Sequence, residues 1–131
     1  MRFLSKLEEP AYTALRAVTG FLFVFHGLQK LFGWLTKNPT PDVFSQLWVG
    51  GAIELVCGVL VVVGLGTRFA ALLSTGTMAV AYFQFHFKGE AADWHWIPAV
   101  NGGEKAALYC FVFLFIAARG PGRLALDNRL S

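Results

Sequence analysis

Charge is scarce in this chain. Only 15% of its residues are charged, against roughly a quarter in ordinary soluble domains, while 56% are hydrophobic and 13 are phenylalanine. A soluble domain of 131 residues has too little interior to hide that much apolar surface. The deficit excludes an ordinary water-soluble fold and predicts an integral membrane protein. No block of basic residues exists, so the net charge of +3 reads as membrane orientation and not as a nucleic-acid surface. No C-x-x-C occurs. Cys57 and Cys110 each sit inside an apolar run, which argues against a disulfide-generating thiol pair and reads as packing. No nucleotide or flavin fingerprint is present, so the chain is not expected to carry a dinucleotide by itself. The first ten residues lack an apolar core followed by a small-residue cleavage site. The first membrane helix is therefore expected to serve as the targeting signal.

What is present is apolar sequence in long runs. The pattern predicts an all-α, integral membrane four-helix bundle forming one domain over residues 1–131. The expected helices cover residues 12–35, 44–65, 67–87 and 102–118, each near the roughly 20 residues that cross the hydrocarbon core. Pro39 and Pro41 break the first connection, Gly64 to Thr67 make a tight turn, and Gly120-Pro121-Gly122 ends the fourth helix. Placing both termini on the cytoplasmic side puts seven basic residues there (Arg2, Lys6, Arg16, Arg68, Arg119, Arg123 and Arg129) and four outside (Lys30, Lys37, Lys88 and Lys105). The four tryptophans, Trp34, Trp48, Trp94 and Trp96, then fall at the outer interface.

Polar residues interrupt the runs at one level. In the stretch FHGLQKLFG, His26 lies roughly 10 Å below the outer end of the first helix, with Gln29 and Lys30 about one turn above it. Glu54 lies roughly 12 Å into the second helix, so it shares that level. Gln84 and His86 close the third helix, and Asn101 and Glu104 open the fourth. At about 100° per residue, Arg16, His26 and Lys30 fall within about 80° of one another and can face the bundle interior together. Glu54 sits in GGAIELVCG, where Gly50, Gly51 and Gly58 would let a neighbouring helix come close. A carboxylate in hydrocarbon needs a partner or a proton, and Lys30, His26 and Arg16 are the candidates. Each residue also has a plainer role. Lys30 and Arg16 are long enough to snorkel to headgroups. Asn101 and Glu104 have the spacing of a capping box. His86 suits an interface, His26 and Glu54 suit a structural ion pair, and Met78, Tyr82 and Tyr109 suit packing.

The ordered set HGLQKLFG, GGAIELVCGVLVVVGLGTRFAA, MAVAYFQFH, NGGEKAALYCFVFLFIA and GPGRLALD resembles the DoxX family, from about Arg16 to Asp127. That resemblance implies a small four-helix, multi-pass protein of the bacterial inner membrane, linked to oxidoreductase chemistry and to quinones. Glu54, His26 and Lys30 are then the expected catalytic residues. Arg16, Gln29, Gln84, His86, Asn101 and Glu104 are expected to line the ligand. A quinone site needs a proton donor, a cation and an apolar aromatic cavity, and these residues supply the first two. The alternatives are a non-catalytic ligand-binding or partner subunit of a membrane complex, or a bundle whose ion pair only sets helix register. Haem ligation is disfavoured, because His26 lies deep and His86 near the surface. A metal on His26, Glu54 and His86 has no recognised ligand spacing, and no metal site is assigned. The expected partners are the lipid bilayer, a small apolar ligand and a redox protein, with a homo-oligomer left open.

Overall fold

The computed structural model describes residues 2–87 and 94–130. Lys88 and the side chain of Arg2, both used above to orient the chain, lie outside that description. Among the described residues every regular element is helical. They are α1 (Arg2–Ser5), α2 (Glu8–Phe32), α3 (Gln46–Val63), α4 (Thr67–Ala81) continuing into a π-helical turn (Tyr82–His86), α5 (Pro98–Asn101), α6 (Glu104–Arg119) and α7 (Asp127–Leu130). α2 packs chiefly on α3 and α4 chiefly on α6, and α3 against α4 joins the two pairs. By length and composition, α2 and α3 are the two helices able to cross a membrane among the described residues.

The helix bounds shift from those expected for local reasons. α2 starts at Glu8 and not near residue 12, because Glu8 and Glu9 suit the positive end of a helix and Pro10 is tolerated in a first turn. It stops at Phe32 and not residue 35, because Gly33 turns left-handed at φ 65° and its N–H bonds back to the Gln29 carbonyl. Ser45 caps α3, its Oγ accepting from the Trp48 N–H at 3.3 Å. The third run ends as a π turn, in which the Phe87 N–H reaches the Tyr82 carbonyl at 2.9 Å. The expected capping box is absent: Gly103 is the N-cap of α6 and Asn101 ends α5.

Each long helix buries only a narrow stripe. In α2 it is Tyr12, Arg16, Thr19, Gly20, Phe23 and Gly27; in α3 it is Gly51, Glu54, Cys57, Gly58 and Val61. The spacing is that of one helical face. The outward faces carry Val18, Phe21, Val56, Phe69, Leu72, Leu108 and Phe111, all exposed. Small and polar residues inside with large apolar ones outside is the arrangement of helices that associate in lipid.

Glycine sets the α2–α3 distance. A Cβ on Gly27 would lie 2.5 Å from the Leu55 nitrogen and 2.7 Å from the Gly51 carbonyl oxygen, and one on Gly20 would lie 2.8 Å from the Gly58 oxygen. Gly51 and Gly58 thus meet α2 closely, as expected, but Gly50 has nothing within 4 Å of its Cβ position and takes no part.

The end of the molecule opposite Lys30 is tied shut. Arg16 is 2% exposed and donates to the carbonyls of Val61 (2.6 Å), Val62 (3.1 Å) and Leu124, satisfying the end of α3. Arg68 does the same for α6 through Ala117 and Ala118 at 2.8 and 2.6 Å. Arg119 pairs with Glu8 at 3.0 Å and Glu9 at 2.6 Å and lies over the Tyr12 ring. Asp127 folds the tail back: its carboxylate accepts from the Gly66 and Thr67 N–H groups at 2.7 and 3.0 Å and so caps α4 from a distance in sequence.

Two outcomes follow. Gly27→Ala should cost about 1–3 kcal/mol, the usual penalty for overpacking, read as a lower midpoint of thermal unfolding in detergent. Hydrogen bonds from Thr67 and then Gly66 hold the Asp127 carboxyl below the usual carboxylate range. Such a group contributes stability above its unfolded pKa of about 4 and loses it as pH falls through the lower folded value. Asp127→Asn should therefore cost about 1 kcal/mol near neutral pH and flatten the acid limb of the stability profile. An unchanged acid limb would show that the cap does not titrate with folding.

Candidate functional site

The close α2–α3 contact brings Lys30 above Glu54. Lys30 Nζ donates to Glu54 Oε1 at 2.5 Å. Glu54 is 2% exposed, whereas Lys30 is 33% exposed and reaches toward the rim. The second carboxylate oxygen, Glu54 Oε2, is buried and accepts no hydrogen bond from the described residues. A buried acceptor left in this way is costly unless a donor reaches it.

Glu54 and Lys30 share the wall of a cavity of about 220 Å³ with His26, His86 and Tyr109. Its apolar lining comes from Phe23, Met78, Ala81 and Ala106. His26 meets the Tyr109 ring edge-on at 5.8 Å, and Tyr109 stacks on Phe113 at 5.9 Å. His86, on the π turn, also lines the cavity, its Nδ1 3.4 Å from the Asn101 carbonyl oxygen. An extra residue in one turn changes the facing of everything after it. His26 and His86 both line this cavity.

The other expected ligand-lining residues lie elsewhere. Arg16 was a candidate partner for Glu54, but it is ten residues from His26, about 15 Å along α2, and its two terminal nitrogens donate to α3 and tail carbonyls. Gln29 points out of this cavity into neighbouring grooves and lies 3.5 Å from the Leu35 carbonyl oxygen. Gln84 is exposed and accepts from Gln46. Asn101 is a brace behind the cavity: its amide nitrogen donates to Tyr82 Oη at 3.1 Å and the His95 carbonyl at 2.9 Å, and its Oδ1 accepts from the Gly103 N–H at 2.8 Å. Glu104 is exposed at the first position of α6.

Two residues on α6 reach the cavity that sequence reasoning placed otherwise. Tyr109 was read as packing and Lys105 only as an outer charge, yet both line the wall. Their separation of four residues stacks them on one face of α6, and that spacing was the available signal. No group of three or more metal-ligating side chains forms among the described residues. Cys57 is buried, Cys110 half-buried, and neither is bridged.

The fold and site together define a class, an all-helical bacterial membrane protein with a paired carboxylate at the wall of a cavity between its helices. The DoxX family model matches residues 11–87, from α2 through the π turn, and the chain belongs to the DoxX family. Similar proteins span nearly the whole chain. An uncharacterized protein of Haemophilus influenzae is 36% identical over 98% of this chain and 97% of its own. An uncharacterized membrane protein of Mycobacterium tuberculosis is 30% identical over 99% and 87%. A Bacillus subtilis protein named "Putative oxidoreductase CatD" is 30% identical over 95% and 90%. No solved structure matches the chain significantly.

The pair can be tested for its energy before any ligand is known. Lys30→Met leaves the Glu54 carboxyl buried without its cation and should cost about 2–4 kcal/mol, near the range for breaking a buried pair. Adding Glu54→Gln should restore much of that loss, because the stranded charge goes. Equal, additive losses in thermal unfolding would mean that the two side chains do not interact.

Proposed function

We propose that the chain is a membrane-embedded oxidoreductase component that holds the polar head of a quinone, or of a similar apolar ligand, beside Glu54. The observation that carries this is the Glu54 carboxylate, bonded to Lys30 through one oxygen and presenting its buried second oxygen without a donor among the described residues. The residues fit such a group. Lys30 offers a cation, His26 and His86 offer ring nitrogens, and Phe23, Met78 and Tyr109 offer flat or soft apolar surface. When bound, a quinone supplies an acceptor for electrons and protons. Lys30 and His26 would hold a carbonyl oxygen by hydrogen bonding, and Glu54 Oε2 would accept the hydroxyl proton of the reduced, hydroquinone form of the head. Lys105 at the rim adds positive charge. The oxidoreductase name of the Bacillus subtilis relative supports the reaction class.

In this reading α2, α3, α4 with its π turn, and α6 are four membrane spans of one domain in the bacterial inner membrane. α6, at 16 residues, is about 24 Å long and sits as the shortest span. Both termini lie on the cytoplasmic side, with Arg16, Arg68 and Arg119, and the cavity opens toward the outer half. A redox protein would supply electrons, and a second copy of the chain is compatible with the exposed apolar faces.

The test is a paired measurement on purified protein in nanodiscs. A benzoquinone should bind the native chain, and Glu54→Gln should weaken that binding about tenfold or more while the unfolding midpoint moves little. If Glu54→Gln lowers the midpoint sharply and leaves binding intact, the pair is a helix-register device and the reading falls. Binding without electron transfer from any tested donor would assign the chain as a ligand-holding subunit.

A further inference from the structure

The helices enclose the cavity unevenly. α2 lies against α3, α3 against α4 and α4 against α6, but α6 and α2 meet only sparsely. Along that seam runs a groove of about 550 Å³, lined on α2 by Leu15, Thr19, Leu22 and Phe25 and on α6 by Leu108 and Val112. His26, Lys105 and Tyr109 line both this groove and the polar cavity. The two spaces therefore share a wall of three polar side chains. Phe23 of α2 packs on Phe113 at 4.6 Å and on Tyr109 at 5.6 Å, both of α6. Its edges, Leu22 at 47% and Leu108 at 68% exposed, face outward.

We infer that this seam is a lateral portal and tail channel: a ligand with a quinone-like head and a long hydrocarbon chain enters from the lipid between α2 and α6, seats its head beside Glu54 and leaves its chain along Leu22, Leu108 and Val112. The inference rests on the proposed head-binding cavity and names the class of ligand for it, a lipid-soluble quinone and not a water-soluble one. Three observations favour a hydrocarbon chain as the occupant. The groove adjoins the polar cavity across His26, Lys105 and Tyr109, which line both, it is lined mainly by aliphatic and aromatic side chains, and its long axis follows α2 for about 20 Å between Leu15 and Gln29. In lipid an exposed chain loses nothing by staying in the bilayer, so the groove acts through close contact and shape and not through water exclusion. His26 and Tyr109, meeting edge-on at the shared wall, separate the polar head from the apolar chain.

The experiment compares a tailless benzoquinone with the same ring bearing a decyl chain, each titrated into the full chain in nanodiscs. The decyl compound should bind at least about tenfold more tightly. Val112→Phe, which fills the groove away from Glu54, should erase that advantage and leave the tailless compound within about twofold of its native affinity. Equal affinities for the two compounds in the native chain would overturn the channel and leave the head site standing. Failure of both compounds to bind would overturn the head site and the channel together. Where Val112→Phe does not fold, the native chain decides by photolabelling with a diazirine at the end of the decyl chain. Label on Leu15, Leu22, Leu108 or Val112 supports the channel, and label confined to α3, to α4 or to lipid overturns it.

Discussion

The rest of the structure depends on how closely α2 and α3 approach. At Gly20, Gly27, Gly51 and Gly58 the backbones come so near that no side chain fits between them. This contact lowers Lys30 onto Glu54 and fixes the charge pair at 2.5 Å. In lipid the hydrophobic effect does not draw helices together, so backbone proximity and polar pairs must do it. Glycine supplies the first and makes the second geometrically available. The carboxylate is tolerated within the bundle because the glycines bring its cation there.

The two ends of the bundle treat polar groups in opposite ways. At the Arg16 end, guanidinium groups are matched to free helix carbonyls: Arg16 serves α3 and the tail, and Arg68 serves α6. Asp127 completes the closure by capping α4. The terminal nitrogens of both arginines and both Asp127 oxygens are committed to the backbone. At the Lys30 end, Glu54 keeps an oxygen that no described residue bonds, and two histidines line the same space. A molecule braced at one end can keep a costly, partly satisfied group at the other. The asymmetry also explains why Arg16, though on the same face as His26, has no share in the cavity.

The π turn is the second device that shapes the site. An ordinary α-helix through Phe87 would have carried His86 to a different facing. With the turn widened, His86 lines the same cavity as His26, and Tyr82 stacks near it at 6.5 Å while its hydroxyl donates to the Trp96 carbonyl. Asn101 holds this corner through Tyr82, His95 and Gly103. Residues that look like ligand contacts in sequence therefore serve as its frame.

Composition and apolar run length alone determined the membrane character, the all-helical class and the breaks at Pro39, Pro41 and Gly64. These depend on local chemistry: backbone polar groups in lipid must be satisfied within a segment, and proline and glycine end segments wherever they stand. Helical spacing likewise made Glu54, Lys30 and His26 legible as a group at one depth, because rise per residue is nearly constant. The use of each polar group was decided only in three dimensions. The approach of α2 and α3 chose Lys30 and not Arg16 as partner to Glu54. The packing of the π turn and α6 placed His86, Tyr109 and Lys105 at the cavity wall. Each of those outcomes turns on the relative rotation and separation of helices far apart in the chain, and no periodicity within a single helix encodes its neighbour's facing.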